Sequence, residues 1–586
     1  MTYSIGIDLG TTNCALAFVS LDDPEAGSQV FPIPQCDGPG RTADRNSLPS
    51  FLFRPVEAER ESFATDSEWI PGNYARQLAS ERPGAVAHSA KSWLCHHTVD
   101  RSQAILPWGS DEVSTKDKIS PIQANRLLLE HLRDTWNSAF LGHPFQDQEI
   151  TVTVPASFDA VAQKLTLQAA AEAGMPDSVR LLEEPQAAFY RWLEAHPGAG
   201  ALCEKLPDLA DRPQHVVVID IGGGTSDFSL FELQMSAGKE LPDIKRIAVS
   251  DHILLGGDNI DLAIAHLVEP RFDSAGERGT LSAKQWNYLV ARCRDLKERI
   301  LGDGAEEEYS LSIPGSGSGL IGGTLSGKVS REEIERLLFT GFFPKSEKNA
   351  TPQRPRAALR ELGLPYAADG AISRHLAGFL NGRPQVDGIL FNGGTTAPAK
   401  LQERLVEQIA YWQGGVASAV LDNVEPDLAV ARGAAHFGSL PHRRTVSKIS
   451  AGAARAIYLE VASTGGSSLV CILPRGTQPG QEVVIAKSDL QLQLNRRVEF
   501  QTWYSTRHEG DEAGAVIPLD TDTFHSLPPL HTTAELSGQE SVPIQLRAQL
   551  NAVGLLTIDC QSEDQSWPLE FDLQILQQGG EGNPLP

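Results

Sequence analysis

The sequence predicts an α/β protein of two related lobes followed by an all-β region. Three observations lead there. A short apolar strand ending in aspartate, then glycine and hydroxyl residues, occurs near the start and again from 215, about 210 positions later. Units of strand, glycine turn and helix recur up to about residue 440. Beyond that the texture changes to short runs of β-formers between turn residues, with no long helical pattern. At 586 residues the chain is too long for one hydrophobic core. The expected division is 1–440 in two lobes, a linker at 441–455, a β-rich, sandwich-like domain at 456–578 and a flexible tail at 579–586.

Residues 3–9 form a buried-strand pattern that ends at Gly10. From 149, EITVTVP supplies a strand stopped by Pro155, and SFDAVAQKLTLQAAAEAG supplies a helix that Gly174 can end. VRLLEEPQAAFYRWLEA then gives a strand, a Glu-Pro boundary and a helix. The β-branched run at 215–219 leads into DIGGGTSDFSLFEL, which reads as strand, glycine turn, strand. Residues 281–301 have helical amphipathy, and 302–328 read as small strands or loop. Ser330 with Glu333 three positions on is a capping-box signature, whereas 342–370 are weakly patterned. VDGILFNGG gives a strand and glycine turn, KLQERLVEQIAYW a helix, and a last helix covers 426–438. SLVCILP, EVVIAK, LQLQL, RRVEFQTWY, VPIQLRAQL and GLLTIDC then read as strands.

Composition narrows the function classes. Hydrophobic residues at 41% and charged residues at 21% are globular values. A formal charge of -25 argues against a nucleic-acid surface, which needs concentrated Lys and Arg. It leaves a local anion site open, because a metal-nucleotide takes carboxylates for the metal and amides for the phosphates. Seven cysteines without a CxxC pair argue against a disulfide scaffold or structural zinc. The chain enters a strand without a signal-like segment, and no run reaches eighteen apolar residues. A cytoplasmic protein without membrane insertion is the expectation.

The chemistry-bearing residues cluster at the glycine turns. Asp8 precedes Gly10, Thr11, Thr12 and Asn13; Gly10 would let backbone amides approach a phosphate. The same residues could form a tight turn with an N-capping threonine. Asp220-Ile-Gly-Gly-Gly-Thr-Ser-Asp227 is sharper. Gly222, Gly223 and Gly224 can wrap amides around phosphate oxygens, and Thr225 adds a hydroxyl. Asp220 and Asp227 can hold magnesium through its waters, since magnesium keeps part of its hydration shell, or orient an attacking water. A structural hairpin could use those glycines but would not require an aspartate on either side. There is no GxxxxGK[ST] loop. Gly256-Gly257 in ILLGGDNID and Gly393-Gly394-Thr395 in ILFNGGTT are weak signals singly. Glu184 before Pro185 is either an ordinary helix N-terminal charge or a carboxylate near a metal and water. Lys91 reads by itself as a solvated lysine.

Taken in order, GIDLGTTN, RNSLPSFLF, VTVPASFDAVAQKLTLQAAAEAG, LLEEPQAA, VVVIDIGGGTSDFSLFEL, LLGGDNID, ARCRDLKERI, ILFNGGTTAP and DLAVARGAAHFG resemble the 70-kDa heat-shock chaperone family, a branch of the actin-like ATPases. The resemblance covers most of 1–440. It implies a two-lobed actin-like (ribonuclease-H-like) ATPase fold with ATP or ADP and Mg2+ between the lobes. Asp8, Thr11, Glu184, Asp220, Thr225 and Asp227 would surround the magnesium and the attacking water, with Asp8, Glu184, Asp220 and Asp227 holding the metal mainly through water. Lys91 would steady the γ-phosphate; with Glu184, Asp220 and Thr225 it makes the expected catalytic set. Gly10, Thr11, Thr12, Asn13, Gly222, Gly223, Gly224, Gly256, Gly257, Gly393, Gly394 and Thr395 would line phosphate and nucleoside. Lys297 matches a ribose- and adenine-side lysine, Asp427 a late pocket aspartate, and Pro155 a proline that relays nucleotide state.

The chain also departs from the family. Glu298 and Ala397 stand where the family puts adenine-stacking arginines, and Gln163 replaces an arginine tied to interlobe and cochaperone coupling. VSKISAGAARAIYLEV occupies the place of a leucine-rich acidic linker, and the helical lid is absent. The expected function is a divergent ATP-dependent chaperone-like protein. Its expected partners are an unfolded or extended peptide, or one dedicated protein, with J-domain and nucleotide-exchange cochaperones as further partners. A nucleotide-switched scaffold is the alternative. A small-metabolite kinase fits less well, because the β region and the long ordered match speak against it.

Overall fold

The computed structural model describes residues 2–571 apart from 64–66, 97–98, 237–240, 273–280, 303–305, 316–323, 354–366, 424, 445–447, 464–465, 486–490, 506–507, 509, 522, 536–539, 552–554 and 563–564. The tail expected at 579–586 lies outside the described residues.

The repeated aspartate-ended strand builds two sheets of the same plan. In the first, Tyr3–Leu9 pairs antiparallel with Asn13–Ser20 on one side and parallel with Glu149–Val154 on the other. Arg180–Glu183 continues the parallel side. In the second, Gln214–Ile221 pairs antiparallel with Ser226–Gln234 and parallel with Gly388–Asn392, and Ala419–Leu421 continues it. Both hairpins turn at the glycine segment, so each lobe presents one such turn beside its parallel edge.

Two helices lie between the sheets. Glu184–Ala195 starts at the Glu-Pro boundary with proline in its first turn, a position that needs no amide donor. It packs on the second sheet, with Phe189 edge-on to Phe231 at 5.2 Å. Pro426–Ser439 packs on the first sheet through a seam of small residues. A Cβ on Gly6 would lie 2.2 Å from the Ala431 carbonyl, and one on Gly433 only 1.7 Å from the Ala187 carbonyl. Glycine is therefore required at both crossings, where backbone meets backbone.

Helix ends follow their local chemistry. Asp159 caps Ala160–Glu172 by accepting from the Ala162 amide at 2.7 Å, so this helix starts inside the segment read as helical from 157. Gly174 follows its end with φ +76°. Ser330 and Glu333 form the expected capping box, and Ser282 with Gln285 forms another at the start of Ala283–Leu301. Glu308–Pro314 and Thr324–Ser330 make the small strands expected within 302–328.

Beyond 442 the described residues form strands and no helix. Ile449–Ser450 joins the second lobe's sheet, parallel to Asp243–Val249. A six-stranded and a four-stranded sheet follow, the former built around Gly466–Leu473, Ala456–Ser463, Arg497–Ser505 and His525–Thr533. Ala456–Ser463 and His525–Thr533 were not among the strands read from sequence. Buried Ile457, Leu473, Leu527 and Ile558 of this region share one contiguous core with Ile5, Val154 and Phe158 of the first lobe. The whole is a mixed α/β architecture consistent with an actin-like ATPase fold plus a β-rich region. No helix among the described residues is long and apolar enough to cross a membrane.

Candidate functional site

Asp8 and Asp220 each stand one residue before the end of their strand, where the two hairpins face one another. A single cleft is lined by Asp8, Gly10, Thr11, Thr12, Asn13, Lys91, Glu184, Asp220, Gly222, Gly223, Gly224, Thr225, Gly393, Gly394 and Asp427. Ser47, Asn392, Pro426 and Val430 complete it. The remaining candidates stand behind this lining. The Gly257 amide donates to the Gly222 carbonyl at 3.0 Å, and the Thr395 hydroxyl donates to the same carbonyl at 2.8 Å. Gly256 would press a Cβ to within 2.5 Å of the Gly223 carbonyl. These residues brace the glycine turn from the second lobe.

The two turns touch. A Cβ on Gly223 would lie 2.1 Å from Thr12 Oγ1, and one on Gly224 2.8 Å from Thr11 Cγ2. Side chains there would hold the lobes apart and fill the space the amides border. The first turn is fixed from below, where Ser50 donates its hydroxyl to the Gly10 carbonyl at 2.7 Å and its amide to the Thr12 carbonyl at 2.9 Å.

The charges around this space are unbalanced. Lys91 is 4% exposed and ion-paired with Glu184, and it is the one cation lining the cleft among the described residues. Burial works against its charge, but Glu184 and Asp8 outweigh that and raise its pKa. Burial and then Glu184 push Asp8 up to about 7, although Thr153 donates to it at 3.2 Å. Asp220 is raised well above the usual carboxylate range by burial and by Glu184, while Asn392 Nδ2 donates to it at 2.8 Å. Asp227 is 1% exposed and pushed to about 7, chiefly by burial. Ser157, whose hydroxyl lies 2.7 Å from His252 Nδ1, acts against that rise, and Asp227 Oδ1 has no partner. Four acidic groups thus crowd one lysine, at a desolvation cost that an added cation would relieve.

The donor set fits a hard divalent cation held through water. Among the described residues no three His, Cys, Asp or Glu side chains are arranged to hold an ion directly. Oxygen donors, an unpartnered buried carboxylate oxygen and hydroxyls at Thr11, Thr12 and Thr225 suit magnesium, which retains waters that such groups can bind.

Behind the second-lobe turn the charged side chains are tied up with one another. Lys297 Nζ lies 2.7 Å from Asp261 and donates to the Gly257 carbonyl at 2.9 Å. Arg294 clamps Asp258 at 2.8 Å and Asp261 at 3.0 Å. Glu298 pairs with Arg76 at 3.7 Å, tying Ala283–Leu301 to the first-lobe helix Asn73–Glu81. Ala397 follows the turn Gly394–Thr396. Asp427 is raised by burial and then by Glu298.

Sequence reasoning had not selected Asn392, Thr153, Ser157 or Arg294. Asn392 was findable from register: it is the parallel-strand partner of Asp220 and precedes the Gly393 turn. Thr153 lies on the neighbouring parallel strand, within reach of Asp8. Ser157 and Arg294 act through contacts distant in sequence and carry no local signal.

Comparison with known proteins finds matches of one kind. A family model described as Hsp70 protein matches residues 85–350. "Chaperone protein DnaK" of Thermoplasma volcanium is 26% identical over 444 residues, covering 75% of this chain and 58% of that protein. "Chaperone protein DnaK 3" of Synechococcus sp. is 25% identical over 442 residues, 74% of this chain and 57% of its own length. "Chaperone protein dnaK1" of Synechococcus elongatus is 25% identical over the same coverage. The chain is thus similar to these DnaK chaperones over about three-quarters of its length, and it spans less than two-thirds of theirs.

Proposed function

We propose that the cleft binds Mg-ATP and hydrolyses it, and that nucleotide state governs how the β region holds an extended peptide or protein segment. The observation that carries this reading is the meeting of two aspartate-and-glycine hairpins, one from each lobe, around a buried Lys91–Glu184 pair. Likeness to the DnaK chaperones supports it.

In this reading the amides at 10–13 and 222–224 bind phosphate oxygens, with glycine admitting the close approach. Asp8, Glu184, Asp220 and Asp227 would hold hydrated magnesium, which when bound would supply positive charge against that developing on the transferred phosphoryl group. Lys91 places positive charge beside the γ-phosphate, held there by Glu184. Asp220, positioned by Asn392, orients the attacking water, and Thr225 adds a hydroxyl to the phosphate ring. Gly256, Gly257, Thr395 and Lys297 keep the second-lobe turn in place, and Asp427 with Gly393 and Gly394 borders the nucleoside. Residues 1–440 form the nucleotide-binding unit in this scheme, 441–455 the connection and 456–578 a sandwich-like partner-binding unit. Cochaperones of the J-domain and nucleotide-exchange kinds, if used, contact a surface changed at Gln163. With Glu298 engaged by Arg76 and Ala397 small, neither position offers a cation to stack on adenine, so nucleotide affinity is modest.

The test is steady-state ATP turnover by the full chain, with and without an unfolded peptide, beside Asp220→Asn and Lys91→Ala. Turnover lost in both variants supports the assignment, and peptide stimulation of the parent supports coupling. Turnover without peptide binding points to a scaffold with one dedicated partner. Turnover indifferent to both substitutions overturns the mechanism.

A further inference from the structure

A second cavity, of about 510 Å³, lies where the first lobe, residues 448–455 and the β region meet. That volume is within the ~300–1,000 Å³ usual for small-ligand sites. Its apolar wall combines Phe158 and Leu181 of the lobe, Ala453 of the connection and Tyr504, Leu527 and Leu556 of the β strands.

The charges on this wall do not cancel. Both acids are already matched: Asp159 has Arg101 at 3.7 Å, and Glu183 has Arg246, which also donates to the Gly452 carbonyl. Both cations are not. Among the described residues neither Arg455 nor Lys448 has a carboxylate within ion-pair distance. Lys448 is exposed at the rim, but Arg455 is 6% exposed. One of its guanidinium nitrogens donates to the Ser157 carbonyl, and the Tyr504 ring lies 4.4 Å from its central carbon. Its Nε is buried with no partner. A buried guanidinium normally has an anion beside it, because desolvation of the charge is otherwise uncompensated.

We propose that this cavity is a binding site for a small amphiphilic carboxylate, with the carboxylate between Arg455 and Lys448 and the hydrocarbon body among Leu527, Leu556 and Phe158. The site is separate from the nucleotide cleft and does not depend on ATP hydrolysis. It does have a route to that cleft: Ser157, whose carbonyl accepts from Arg455, lies four residues beyond Thr153, which donates to Asp8. Occupancy would therefore secure the docked arrangement of the β region beside the first lobe.

Calorimetric titration of the full chain with decanoate, decanol and decylamine, each below its aggregation threshold, tests the proposal. Decanoate is expected to bind saturably at one site, decanol at least about tenfold more weakly for want of the charge-assisted bond, and decylamine not at all. Arg455→Gln should weaken decanoate about tenfold, Arg455→Lys should weaken it less, and Leu527→Trp, which fills the cavity, should abolish binding with Arg455 intact. Should Arg455→Gln fail to fold, the Leu527→Trp and decanol arms decide alone. Absence of saturable decanoate binding, equal affinity for decanol, or undiminished binding in Leu527→Trp would overturn it.

Discussion

Gly433→Ala adds one methyl group where Pro426–Ser439 crosses Glu184–Ala195. The new Cβ would sit 1.7 Å from the Ala187 carbonyl oxygen, 2.6 Å from its carbon and 3.0 Å from the Arg191 amide. These are backbone atoms of a helix, so no side-chain rotation relieves the clash. Ordinary contact begins at 3.4 Å, so the helices must part by about 1.7 Å. On its other face the same helix already meets Gly6 of the first sheet backbone to backbone, through Ala431 and Ala435, so it has no free space to retreat into. Overpacking usually costs ~1–3 kcal/mol, and alanine returns ~1 kcal/mol through helix propensity. With two rigid backbones in contact, the expected net loss is about 2 kcal/mol. Urea unfolding followed by tryptophan fluorescence reads it, since buried Trp192 lies on the partner helix. The same helix carries Asp427 at the cleft, so nucleotide affinity should fall as well. Gly341→Ala, where nothing lies within 4 Å, is the control and should leave stability unchanged or slightly raised. A Gly433→Ala protein that unfolds at the parent's urea concentration or higher would refute the close-crossing argument.

Three further outcomes are expected. Asn392→Ala removes the donor that positions Asp220, and a hydrogen bond to a charged group is worth ~1.5–3 kcal/mol; ATP turnover should fall roughly ten- to a hundredfold with circular dichroism unchanged. His436, opposite Glu194 at 3.7 Å, is pushed down to about 4 by burial, against a partial opposing effect of Glu194. The unfolded chain protonates this ring near its ordinary value of about 6.5 while the folded one does not, so stability is flat above that and falls between about 6.5 and 4, by ~3 kcal/mol at most. His436→Gln should flatten that limb of the stability profile. Arg76→Ala breaks an exposed pair worth ~0.2–1 kcal/mol; it should leave the urea midpoint almost unmoved and speed release of a fluorescent ADP about two- to fivefold in stopped flow.

The parts legible in the sequence were those with local causes. Short buried-strand and β-branched runs marked the strands at the centre of both lobes, and the Ser330–Glu333 spacing marked a helix start. Repetition of aspartate before glycine carried the two-sheet plan, because each hairpin must turn where its strand ends. His525–Thr533 was missed because Pro528-Pro529 reads as a break. The structure seats that pair at a β-bulge, where the register shifts between Phe500, opposite Leu530, and Thr502, opposite Leu527. Pairing of Ile449–Ser450 with Asp243–Val249 depends on residues some two hundred positions away, so no window could show it. The seam of Gly6, Ala431, Gly433 and Ala435 looks like ordinary small-residue composition until the two helices and the strand are brought together. Lys91 had no local signal either: its burial against Glu184 arises from tertiary packing.

A crystal structure of the full chain with magnesium and a non-hydrolysable ATP analogue tests the central claim most directly. The account expects phosphates on the amides of 10–13 and 222–224, a hydrated metal within reach of Asp8 and Asp220, and Lys91 beside the terminal phosphate. Nucleotide bound elsewhere, or the space between Asp8 and Asp220 left empty at saturating ligand, would contradict it.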